Sequence, residues 1–176
     1  MRLWKMGNNN GFKQYDNSDN EVWSAFTLNH FPTINWKMEA TSNDDDFCSV
    51  DQLVTGTTNS GKKETYNVEL KCREFAPISD KYIKDCILEC DKYESFKKFD
   101  NNKNLYVAIY PYVKSGGLIY IWDLNNFTNK ELEGIKQYKL MNRTTAEKSN
   151  KVWKWVYLLP TDKAKQYKFD SLNYYE

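Results

Sequence analysis

The stretch that decides the fold is residues 49–74, SVDQLVTGTTNSGKKETYNVELKCRE. It predicts two strands joined by a turn over residues 56–61, because Gly, Asn and Ser cluster between two alternating segments. Side chains alternate with a period of two along a strand, so Glu69 and Lys71 share one face of the second strand. Neighbouring strands lie about 4.8 Å apart, so Asp51 on the first strand can stand beside Glu69.

Two carboxylates and one lysine that project together provide what a hard divalent cation and a phosphodiester require. Glu69-Leu70-Lys71 is also the only acid-x-Lys tripeptide in the chain. The sequence therefore places a candidate catalytic group, Asp51, Glu69 and Lys71, on this hairpin.

The pattern of Asp51, a hairpin, Glu69-Leu70-Lys71 and a following helix resembles the PD-(D/E)xK nuclease superfamily, with the restriction-endonuclease-like fold. The resemblance implies a Mg²⁺ or Mn²⁺ ion bound by Asp51, Glu69 and the Leu70 carbonyl, with Lys71 assisting the attacking water. Val50 stands where the family has a proline. By size, Holliday-junction resolvases look like the nearest functional neighbours.

Several further residues could assist such a site. Glu21 lies in a helix predicted over residues 20–31, and Glu39 in a strand predicted over residues 34–41. Glu89 and Tyr93 have the spacing of a Gln and a Tyr that some branches of the superfamily carry on the helix, with Glu in place of Gln. Each also has a plain structural interpretation, as a solvated first-turn acid, an exposed strand residue or, for Glu89, an ion-pair partner of Lys92.

Nucleic acid would have to be held by a local basic surface, because the formal net charge is only +1. Lys62 and Lys63 near the hairpin tip and Arg73 on the second strand could contact a phosphate backbone. Ordinary solubilising charge is the alternative for the two lysines. The expected partner is DNA, whether duplex, branched or single-stranded, with a homodimer as an open option.

Elsewhere the chain alternates between strand and helix signals. Ser79 can cap a helix over residues 80–98 that would place Cys86 and Cys90 on one face. Residues 105–112 and 118–123 predict a central strand and its hairpin partner, and residues 152–159 a further strand. Residues 125–151 read as polar and mixed, with a capping box at Thr144 and Glu147. The tail, residues 162–176, reads as peripheral.

The resulting expectation is a single α/β (or α+β) domain over residues 1–176. Its restriction-endonuclease-like core, residues 20–125, would hold a mixed sheet of about five strands flanked by helices, followed by a C-terminal β extension, residues 126–176. The four cysteines form no CxxC pair and are expected to be reduced, buried thiols in a cytoplasmic protein. No segment is apolar enough to span a membrane.

Two functional hypotheses follow. The first is a metal-dependent deoxyribonuclease, of phage or mobile-element origin. The second is a non-catalytic DNA-binding or inhibitory protein that retains the fold, and an unrelated α+β interaction module is a third option. For the candidate group itself, the plain interpretation is a charged outer face of a hairpin, with Asp51 in an unrelated turn.

Overall fold

The computed structural model describes residues 51–58, 60–72, 83–98, 103–111, 117–143 and 150–169, and the backbone of residues 33–40. These residues form nine strands and two short α-helices. The strands are β1 (Thr33–Ala40), β2 (Gln52–Thr58), β3 (Lys63–Cys72), β4 (Asp85–Glu89), β5 (Lys103–Pro111), β6 (Gly117–Asp123), β7 (Lys136–Asn142), β8 (Lys151–Pro160) and β9 (Lys165–Phe169). The helices are α1 (Cys90–Phe96) and α2 (Asn129–Gly134).

Six strands form a mixed sheet in the order β1-β2-β3-β5-β6-β9. β3 and β5 are parallel, and every other neighbouring pair is antiparallel. Antiparallel strands can follow one another through tight turns, whereas the parallel pair requires a crossover. Here β4 and α1 supply that crossover, and together they form part of a second layer.

The second layer contains a three-stranded antiparallel sheet in the order β4-β8-β7. A core of buried aromatic and aliphatic side chains lies between this layer and the six-stranded sheet. Two hydrogen bonds join the layers across that core. The Tyr106 hydroxyl donates to the Ile87 carbonyl at 2.7 Å, and Trp122 Nε1 donates to the Pro160 carbonyl at 2.8 Å. The second layer is thereby fixed in position over β5 and β6.

The opposite face of the six-stranded sheet carries a second apolar cluster. Both faces of β5 and β6 are consequently buried, which suits their near-continuous apolar sequences. The cluster contains Val54, Tyr66, Val68, Leu70, Leu105, Val107, Ile109, Ile119 and Ile121.

The helix expected over residues 80–98 is largely wrong. Residues 85–89 form β4, which pairs with β8, and among residues 83–98, the described part of this segment, only residues 90–96 are helical. The segment Asp85–Glu89 alternates between exposed and buried side chains, with Cys86 and Leu88 directed into the core. Pairing with the long strand β8 and burial in the core therefore override a helical pattern that local spacing favoured. Cys86 and Cys90 accordingly lie on different elements.

Four other expectations need correction. The hairpin turn is shorter than residues 56–61, because Gly56 is paired with Glu64 within the β2–β3 ladder. Residues 125–151 contain α2, with a capping box at Thr128 and Glu131, and the edge strand β7. The tail is not peripheral, since β9 pairs with β6 in the main sheet. The second layer is chiefly a sheet, so the expected flanking by helices holds only weakly.

Several expectations are confirmed. The structure is mixed α/β, β5 lies centrally between β3 and β6, and β1 and β8 are strands. Cys86 and Cys90 are buried reduced thiols. The helix over residues 20–31, the capping box at Thr144 and Glu147 and the side chain of Cys72 lie outside the described residues, as does Cys48.

Within the part of the chain that the structure describes, no helix is long and apolar enough to cross a membrane.

Candidate active site

The hairpin brings Asp51 beside Glu69. Gln52 is the last residue of the β2–β3 ladder on its strand and lies opposite Val68, so the next position along each strand holds Asp51 and Glu69. Residues that face each other across an antiparallel pair project from the same side of the sheet. Asp51 itself is a bend residue immediately before β2 rather than part of the strand.

Two hydrogen bonds attach Asp51 to β3. Its backbone N–H donates to the Val68 carbonyl at 3.1 Å, and its Oδ2 accepts from the Leu70 backbone N–H at 2.7 Å. The Asp51 carboxylate therefore accepts a hydrogen bond from the Leu70 N–H, which lies on β3 beyond the residues that pair with β2. One oxygen of Asp51 is fixed in this way, and the side chain is only partly buried.

Glu69 is fully buried, at 0% exposure, on the side of the sheet that faces the second layer. Its Oε1 lies 2.7 Å from Lys71 Nζ, and its Oε2 accepts a hydrogen bond from Lys92 Nζ at 3.1 Å. Lys92 projects from α1. The Lys71 side chain is 37% exposed and the Lys92 side chain is 31% exposed. A buried carboxylate is thus neutralised by two ammonium groups that both reach toward water.

The protonation of Asp51 reflects this environment. Burial and then the adjacent Glu69 charge raise the pKa of Asp51 from 3.8 to about 6, against the opposing influence of Lys71, the Leu70 N–H and Lys92. Two carboxylates in one site commonly behave this way, because each charge disfavours the other. Glu69 and Lys71 are therefore close enough to Asp51 to act on its pKa.

The chemistry of the donors suits a hard divalent cation. Asp51 and Glu69 present carboxylate oxygens, and Glu69 Oε1 is buried with an ion pair but no directed hydrogen bond from any described residue. The described residues contain no group of three or more Asp, Glu, His or Cys side chains that could hold a metal. Mg²⁺ needs few protein ligands, because it usually keeps several waters. A site with Asp51, Glu69 and the Leu70 carbonyl would therefore fit Mg²⁺ or Mn²⁺ better than Zn²⁺.

A polar side chain continues this face of β3. Asn67, two residues before Glu69, is fully buried, and its Nδ2 donates to Asn104 Oδ1 on β5 at 2.8 Å. The row of polar groups on β3 is therefore built into the sheet rather than left in solvent.

The accessory candidates lie in other environments. Glu89 accepts from Lys154 Nζ at 2.9 Å and 3.0 Å, which also corrects the alternative that Glu89 pairs with Lys92. Tyr93 is buried against Tyr157, with ring centroids 5.3 Å apart. These contacts tie α1 and β4 to β8.

The remaining candidates differ in how far the structure describes them, and for Glu39 it gives only the backbone. Glu39 lies on β1 opposite Leu53. Lys62 and Lys63 are exposed at the hairpin tip, where Lys62 Nζ is 3.8 Å from a carboxylate oxygen of Glu64. Glu21 and Arg73 lie outside the described residues.

Sequence reasoning missed Lys92 as a member of the group. The chain offers many lysines, and the helix assigned to residues 80–98 gave no orientation relative to β3. The available signal was a lysine on the segment that connects β3 to β5. Its contact with Glu69 could be recognised only after the position of the second layer was known.

Comparison of the chain with protein-family models, with curated proteins and with solved structures finds no match in any of the three. The case for function therefore depends on the geometry of Asp51, Glu69, Lys71 and Lys92.

Proposed function

We propose that this protein is a metal-dependent DNA nuclease that hydrolyses phosphodiester bonds with Asp51, Glu69 and Lys71. The single observation that supports it most is the opposition of Asp51 and Glu69 across the β2–β3 hairpin, with the Lys71 ammonium 2.7 Å from Glu69. Two carboxylates and a lysine at one point suit a cation and a phosphate together.

The strand arrangement supports the same proposal. β1, β2 and β3 form an antiparallel series, and a crossover then leads to β5, which is parallel to β3. Such a βαβ-type link after the Glu-x-Lys strand is what the resemblance to the PD-(D/E)xK superfamily implies. We therefore propose a restriction-endonuclease-like core for this sheet.

The residues have separable roles in this proposal. Bound Mg²⁺ or Mn²⁺ supplies an activated water and neutralises charge on the scissile phosphate. Asp51, Glu69 and the Leu70 carbonyl would hold the ion. The Lys71 ammonium lies beside two carboxylates, which favour its charged form, so electrostatic stabilisation of the transition state is its main role.

DNA would be held by local positive charge. Lys62 and Lys63 are exposed at the tip of the hairpin, at the opposite end of the β2–β3 ladder from Asp51 and Glu69, so DNA would have to extend along the hairpin to contact both. Arg73 follows Lys71 by two residues in the sequence. Contacts of this kind with phosphate make binding sensitive to salt. The substrate class is DNA, and a homodimer that binds two strands is compatible with the proposal.

A cleavage assay tests this function. We expect Mg²⁺-dependent cleavage of single-stranded, duplex or branched DNA by the wild type. Asp51→Asn and Lys71→Met should each lower the rate at least about 100-fold, which is typical of losing a group that acts on the transition state. Lys130→Met, an exposed lysine on α2, is the matched control and should stay within about 2-fold of the wild type. Cleavage that survives both site substitutions would refute the proposal.

One observation favours the non-catalytic alternative, a DNA-binding or inhibitory protein. Both Glu69 oxygens are already held by lysines, so the charges are compensated without a metal. This alternative predicts DNA or protein binding that is indifferent to Mg²⁺ and to Asp51→Asn, with no cleavage of any of the three DNA forms.

A further inference from the structure

Lys92 reaches the candidate site from a different layer of the molecule. Its Nζ donates to Glu69 Oε2 at 3.1 Å, while Lys71 Nζ lies 2.7 Å from Oε1 of the same carboxylate. A metal ion bonds carboxylate oxygen at about 2.1 Å and would repel an ammonium that shares that oxygen. A cation bound at Glu69 therefore competes electrostatically with the two lysines for the same carboxylate.

We propose that Lys92 occupies the coordination position on Glu69 that a divalent cation takes, and that metal binding displaces the Lys92 ammonium. This inference rests on the proposed function, because it concerns the same metal site. In this proposal Lys92 acts as an internal counter-ion of Glu69 and lowers the affinity of the site for metal.

The surroundings of the two lysines indicate which one leaves. Lys71 lies on β3 two residues from Glu69, and its charge acts on the Asp51 carboxylate more strongly than that of Lys92. Lys71 can therefore remain close to both acids. Lys92 extends from α1 and makes the longer of the two contacts with Glu69, at 3.1 Å, and its flexible four-carbon chain can turn to water without movement of the backbone.

The helix itself need not move in this exchange. Cys90, Tyr93 and Phe96 are the buried residues of α1, and they anchor it against the core. Lys92 lies on the partly exposed side of the same helix. Displacement therefore involves one side chain, and the detached ammonium stays next to the site.

The first test is Mn²⁺ binding measured by calorimetry without DNA. We expect Lys92→Gln to bind Mn²⁺ about 10-fold more tightly than the wild type, and Lys92→Arg to restore weak binding. Lys97→Gln is the matched control, because Lys97 follows α1 and pairs with the exposed Glu94. It should bind as the wild type does. Circular dichroism verifies that each variant is folded.

The second test observes the displacement directly. Acetylation of lysines, followed by mass spectrometry, should show Lys92 modified several-fold faster when Mg²⁺ is present than when it is absent. Lys71 should not respond in this way. Faster labelling of Lys71 in place of Lys92 contradicts the inference.

The remaining outcomes separate the two proposals. If the wild type binds Mn²⁺, Glu69→Gln abolishes binding and Lys92→Gln leaves the affinity unchanged or weaker, the inference fails and the nuclease proposal stands. If neither the wild type nor Lys92→Gln binds Mn²⁺, both fail.

Discussion

Asp51 and Glu69 occupy facing positions at the end of the β2–β3 ladder, where burial and then the charge of Glu69 raise the pKa of Asp51. The hairpin therefore holds two carboxylates next to each other on the side of the sheet that faces the second layer. Lys71 and Lys92 both contact the Glu69 carboxylate and compensate its charge. The predictions below follow from this pair and from the contacts that hold the layers around it.

The first prediction concerns pH and stability in EDTA. The pKa of Asp51 is raised from 3.8 to about 6, so the folded state retains the proton that the unfolded state has lost between these values. The contribution of Asp51 to the free energy of unfolding therefore decreases as pH rises from about 3.8 to about 6, by at most about 3 kcal/mol, and stays at the lower level above pH 6. Asp51→Asn should stabilise the protein relative to the wild type at pH 8 and have little effect at about pH 3.5.

Thermal unfolding of both proteins at the two pH values provides the measurement. Asp162→Asn, at an exposed position after β8, is the control and should show no comparable pH-dependent difference. A wild type that is more stable than Asp51→Asn at pH 8 would contradict the raised pKa.

The second prediction concerns the buried carboxylate. Glu69→Ala leaves Lys71 and Lys92 without their counter-ion and opens a cavity beneath α1. Breaking a buried ion pair costs about 3–5 kcal/mol, and the lower end applies because both lysines can turn toward water. Chemical denaturation should show this loss. Glu94→Ala removes an exposed carboxylate of α1 that pairs with Lys97 and should cost less than about 1 kcal/mol. Equal effects of the two substitutions would mean that Glu69 is not buried.

The third prediction concerns the joint between the layers. Tyr106→Phe removes the hydroxyl that donates to the Ile87 carbonyl at 2.7 Å and leaves that partly buried carbonyl without this donor. We expect a loss of about 1–3 kcal/mol in the free energy of unfolding. The control is Tyr93→Phe, since the contacts of Tyr93 with Tyr157 and Lys97 are made through its ring. If Tyr93→Phe lowered the free energy of unfolding as much as Tyr106→Phe, the hydrogen bond between the layers would have no specific role in stability.

The fourth prediction concerns the β7–β8 hairpin. Tyr138 stacks between Trp153 and Trp155, with ring centroids 5.1 Å and 5.0 Å apart, and all three side chains are more than half exposed. Aromatic pairs of this kind contribute about 0.5–1.5 kcal/mol beyond their burial. Tyr138→Ala should therefore destabilise the protein by about 1 kcal/mol more than Gln137→Ala, its exposed neighbour on the other face of β7. Chemical denaturation of Tyr138→Ala, Trp155→Ala and the double variant measures the interaction energy of the two rings. If the losses in free energy of unfolding of the two single variants add up to the loss of the double variant, the rings do not stabilise each other.

Local sequence predicted the hairpin, the central strand β5 and its partner β6, because period-two alternation and turn residues act over a few positions. It failed over residues 80–98, where a helical spacing of apolar residues coexists with strand alternation. There the partner β8, about 70 residues away, decides the outcome through burial of Cys86 and Leu88.

The same division applies to the candidate site. The sequence by itself placed Glu69 and Lys71 on one face of a strand and Asp51 on the preceding segment of the hairpin, because side chains alternate with a period of two. The register that sets Asp51 opposite Glu69 came from the structure, since the turn predicted over residues 56–61 would have set Asp51 opposite Tyr66. Only the tertiary structure decided that Glu69 is buried and that Lys92 completes the group. Both depend on the position of α1, which packs against β4 and β8 through core contacts between distant segments, and no local pattern in the chain encodes such a contact.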